Sequence, residues 1–69
     1  MNPQSEAFPV GEQVTLVQPY MRLGVGSVGT ITRTYHTHPP CYRVRFAHIG
    51  LTVPVPSAYL ALVRSYGSM

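Results

Sequence analysis

Sixty-nine residues make one small domain, which buries only about 60% of the surface its unfolded chain exposes, and the lone cysteine excludes an internal disulfide, leaving self-association or a metal as compensation. Charged residues are 10% of the chain against about 25% in soluble domains. The net charge of +3 comes from Arg22, Arg33, Arg43, Arg45 and Arg64 against Glu6 and Glu12, a balance that permits nucleic-acid binding without demanding it and argues against paired-carboxylate hydrolysis.

Residues 1–7 are polar, carry Pro3, and are expected to form a disordered arm. They lack the basic and apolar regions of a secretory signal, and no apolar run approaches the ~18 residues of a membrane span, so a cytoplasmic location is expected. From Gln13 to Val17 the residues alternate, with Val14 and Leu16 on one face and Thr15 on the other, which predicts a half-buried strand ended by Pro19. The stretch YMRLGVGS reads as a long loop hinged at Gly24 and Gly26.

A second strand is predicted over Val28–Tyr35, and a third over Cys41–Phe46, where Tyr42, Val44 and Phe46 share one face and Arg43 and Arg45 the other. If His36-Thr37-His38-Pro39-Pro40 closes a hairpin, Tyr35 faces Tyr42, Ile31 faces Phe46, and Thr32 and Thr34 stand beside Arg45 and Arg43. Arg33 then falls on the core side, which requires a splay or bulge there. The residues AHIG predict a turn, and LTVPV a short fourth strand confined to an edge because Pro54 cannot donate to a ladder. PSAY predicts one short 3-10 turn, LALVR a fifth strand, and residues 65–69 a frayed tail. The fold class is therefore all-β: a small five-stranded SH3-like barrel over residues 8–64.

Residues 9–63 resemble small bacterial SH3-like domains, through VGEQVTL, VGTITRTY, YRVRF and VPSAYLALV. The chain is also similar to the plasmid-borne type II dihydrofolate reductases of trimethoprim resistance. That similarity rests on Phe8, Gly11, Val14, Gly29, Ile31, Tyr35, Tyr42, Val44, Ala47, His48, Gly50, Pro56, Ala58 and Leu60. In that family four copies surround one pore, and a V-Q-I-Y segment with a lysine builds the folate and NADPH site. Here those positions are Thr52-Val53-Pro54-Val55 and Leu16. The resemblance implies the scaffold without the active-site residues.

His36, His38 and Cys41 gather ligand-type side chains at one hairpin, with His48 at the opposite end of the third strand. Their spacing matches no common structural zinc pattern, so no metal and no cofactor is expected. Cys41 has no carboxylate nearby to orient a histidine base, and the glycines at 24, 26 and 29 lead into a strand rather than the helix a phosphate cradle needs.

What remains is binding. The first expectation is a non-catalytic module acting through protein contacts, probing a partner or a second copy of itself with Val53, Val55 and Tyr59. The second is a nucleic-acid-binding barrel using Arg22, Arg33, Arg43 and Arg45, since alternate strand residues project about 7 Å apart, near the spacing of successive phosphates. The third is a divergent type II dihydrofolate reductase.

Overall fold

A computed structural model describes residues 8–63. The expected N-terminal arm, the expected tail and Arg64 lie outside the described residues. The chain is all-β, with β1 (Gln13–Leu16), β2 (Val28–Tyr35), β3 (Cys41–Phe46), β4 (Leu51–Pro56) and β5 (Leu60–Leu62) in one antiparallel sheet of order β4-β3-β2-β1-β5. Two short 3-10 turns punctuate it. Ser57–Tyr59 is the expected one before β5, and Ala47–Ile49 is a second, where only a turn was expected. Gly50 closes the second with φ 64°, a left-handed conformation that glycine adopts at no steric cost.

The sheet is open. Among the described residues no ladder joins β4 to β5, so the closed barrel is not what the hydrogen bonding draws. The reason is visible in β4. The Arg43 carbonyl accepts from Thr32 Oγ1 at 3.2 Å on the β2 side, and Arg43 faces Pro54 across β3 and β4. A residue's N and C=O point to the same side of a strand, so the Pro54 nitrogen and carbonyl face the outer edge, where the missing N–H costs no ladder bond. There the Tyr20 hydroxyl donates to the Pro54 carbonyl at 3.0 Å. Pro56 shares that parity. The edge that could template another strand is thus blunted by two prolines and a side-chain cap.

Alternation built the core as expected. Val14, Leu16, Ile31, Tyr42, Val44, Phe46, Val53, Val55 and Leu60 point inward, with Leu23 from the first loop beneath them and Phe8, Tyr20, Tyr59 and Leu62 packed at the margin. Thr15, expected on the solvent face, is buried as well, because it sits mid-sheet between Val28 and Ala61. Tyr42 is the largest fully buried side chain, and its hydroxyl accepts from the Phe8 N–H at 3.1 Å while the two rings pack at 5.0 Å. Removing that hydroxyl in Tyr42→Phe keeps the packing and strands a part-buried donor. We expect a loss of about 1–2 kcal/mol in urea unfolding.

The long first loop contains a structured tip. Tyr20 and Leu23 exchange both backbone bonds, at 3.0 and 2.8 Å, around a two-residue turn in which Met21 has φ 53° and Arg22 φ 81°. Positive φ at both central positions is the geometry that Asn-Gly supplies readily. Two side-chain-bearing residues held there cost about 1–3 kcal/mol each.

Candidate functional site

The β2–β3 hairpin does not keep the expected register. Thr30 pairs with Arg45 and Ile31 with Val44, whereas beyond the irregularity Arg33 pairs with Arg43, Thr34 with Tyr42 and Tyr35 with Cys41. One extra residue, Thr32, separates the two halves. Without it, strict alternation would put Ile31 and Arg33 on the same side and force a guanidinium into the core at a cost of several kcal/mol. The bulge lets Ile31 stay buried while Arg33 turns to solvent. Thr32 itself serves the interrupted ladder through its bond to the Arg43 carbonyl.

This repair assembles a basic face. Arg33 lies directly across from Arg43, and Arg45 lies between Thr30 and Thr52 on the neighbouring strands. All three arginines are exposed. Along β3 the two guanidiniums project from one face about 7 Å apart, and β2 brings the third to within a strand spacing of about 5 Å. Arg33 also sits over the Tyr35 ring, 5.7 Å from its centroid. Glu12, the one acid among the described residues, immediately precedes β1, lining a shallow cavity with Gly11, Gln13 and Val63. Like charges set directly opposite each other destabilise a sheet. Among the described residues no carboxylate offsets that repulsion on this face, and the planar fork of arginine suits phosphate oxygens.

Arg22 is not part of that sheet face. It is held in the Tyr20–Leu23 turn, where it lines a groove of ≈ 320 Å³ with Met21, Leu23, Ile49 and Leu51. The sequence signal for this groove was present in YMRLG and AHIGL, where apolar residues occupy turn segments, but alternation gives no rule for residues outside strands.

Val53 and Val55 correct the expected protein interface. Their side chains are 9% and 0% exposed and belong to the core, because the alternation of β4 that sends Thr52 and Pro54 outward sends the valines in. Tyr59 is half-buried, its ring 4.9 Å from that of Tyr20 at 59°, and the pair shields the β4 edge rather than presenting a free aromatic.

Of the segment HTHPPCY, His36, Thr37, His38 and Pro39 form the solvent-exposed tip of the β2–β3 hairpin, while Pro40 and Cys41 are half-buried and Tyr42 is in the core. The tip is closed by Thr37 Oγ1 donating to the Pro39 carbonyl at 2.8 Å, with a cis bond between His38 and Pro39. His48 is at the far end of β3, edge-on to Phe46 with ring centroids 6.4 Å apart. Among the described residues no three His, Cys, Asp or Glu side chains converge. Set against family models, curated proteins and solved structures, the chain gives no match.

Proposed function

We propose that the chain is a non-catalytic binding module whose basic sheet face takes the phosphates of a single-stranded nucleic acid. The observation that carries this reading is the bulge at Thr32, which sets Arg33 opposite Arg43 and beside Arg45 on one face that bears no acid among the described residues. Each guanidinium forks onto one phosphate. Tyr35, beside Arg33, offers its ring to a base, and a base can reach it only when unstacked, which favours a single strand over a duplex. The open strand order with a 3-10 turn before β5 supports an SH3-like scaffold for this work. The unpaired Cys41 thiol suits a reducing cytoplasm.

Fluorescence anisotropy with a labelled twelve-nucleotide RNA, repeated with DNA of the same sequence, tests the reading. Three neutralised phosphates give a slope of log affinity against log salt of roughly −2 for a single strand. Binding that ignores salt, or no binding at low salt, would contradict it.

A further inference from the structure

A second surface, independent of the arginine face, is formed where the Tyr20–Leu23 turn meets the segment between β3 and β4. Met21, Ile49 and Leu51 are 58%, 49% and 39% exposed, and together with the buried floor of Leu23 they line an open groove of ≈ 320 Å³ whose single charged neighbour is Arg22. Three large apolar side chains exposed side by side are unusual on a chain that has so few charges to keep it soluble.

The backbone adds a second observation. Met21 and Arg22 both occupy the left-handed region, a conformation that Asn-Gly would hold with less strain. The turn so strained places exposed Met21 and Arg22 along an otherwise apolar groove. No carboxylate among the described residues meets Arg22, and Glu12, just before β1, is already engaged. A second copy brings a net charge of +3 and only two acids of its own, so it complements the groove poorly.

We infer that this groove docks an extended peptide segment of a partner protein in which large apolar residues stand next to carboxylates, the apolar side chains filling the space over Leu23 and a carboxylate meeting Arg22. Met21 is suited to this because an unbranched thioether adapts to irregular apolar shapes. The orientation of the peptide is fixed by the fork of Arg22 rather than by strand addition, since the β4 edge is closed by Pro54 and Pro56.

The test is a methyl-detected NMR titration of the whole chain with an acetylated octapeptide alternating Asp and Leu, beside a control with Lys in place of Asp. The Met21, Ile49 and Leu51 methyl signals are expected to shift with the acidic peptide and not with the basic one. Arg22→Gln is expected to weaken binding about tenfold, the worth of one charge-assisted hydrogen bond, while Arg43→Gln leaves it unchanged. The double variant Met21→Asn/Arg22→Gly relaxes the turn, so it is expected to melt at a higher temperature and yet lose the peptide, which separates docking from folding. Absence of shifts at millimolar peptide overturns the inference. So does equal binding of the basic control, or shifts confined to the Arg43 and Arg45 face. Groove signals that move on dilution of the chain alone would assign the surface to a second copy instead, and overturn it as well.

Discussion

Gly29→Ala is expected to remove about 1–3 kcal/mol or more of stability, although it adds a single methyl group. Gly29 lies in β2 where the strand passes from its pairing with β1 to its pairing with β3, opposite Val14. A Cβ there would overlap the Val44 Cγ1 methyl and stand 2.9 Å from the Arg45 carbonyl oxygen and 3.0 Å from Phe46 Cδ1. The valine could rotate. The carbonyl cannot, because Arg45 is tied into β3 between Thr30 and Thr52. Overpacking of this kind costs about 1–3 kcal/mol or more, against a total of about 3–10 kcal/mol for a chain of this length. Urea unfolding with tryptophan-free detection, by circular dichroism, measures the loss. Adding Val44→Ala removes the side-chain overlap but leaves the backbone one, so the double variant is not expected to recover. Full recovery would mean that β2 and β3 do not approach as closely at Gly29 as described.

Replacing Arg33, Arg43 and Arg45 together by glutamine is expected to have the largest effect on function. With three phosphate contacts gone, affinity for the labelled RNA should fall by about a hundredfold or more and the salt slope should approach zero. Stability should move the other way. Relieving the repulsion across the Arg33–Arg43 pair is worth about 0.2–1 kcal/mol, so the variant folds at least as well as the parent. This opposition is informative, because a structural role for the guanidiniums would lower binding and stability together. The single variants should each reduce the slope by about 0.7, the contribution of one phosphate on a single strand.

Most of the fold was legible because it follows from local alternation. QVTL, YRVRF and LTVPV each sort apolar from polar residues with period two, and Pro54 marks its strand as an edge without any tertiary information. The register of β2 on β3 was not legible. It depends on one inserted residue, and Thr32 carries no sequence mark that distinguishes it from Thr30 or Thr34; only the conflict at Arg33 announced that a bulge was needed. The arginine patch of Arg33, Arg43 and Arg45 was legible as a set, but the pairing of Arg33 directly across from Arg43 was not, because it follows from the shifted register. Val53 and Val55 are apolar beside an edge, which suggests an interface, yet in a small domain an apolar residue in a strand is claimed first by the core. The groove around Leu23 arises from two loops brought together by the chain's course, and periodicity is blind to such contacts.

The central claim is that the bulge-built arginine face is where nucleic acid binds. Backbone amide chemical-shift mapping of the intact chain with the twelve-nucleotide RNA at low salt addresses it most directly. The account requires the largest shifts at Arg33, Tyr35, Arg43, Arg45 and Thr52, with Val10, Val17 and Ile49 unmoved. Shifts absent from that face, or gathered on the groove and first loop instead, would contradict it.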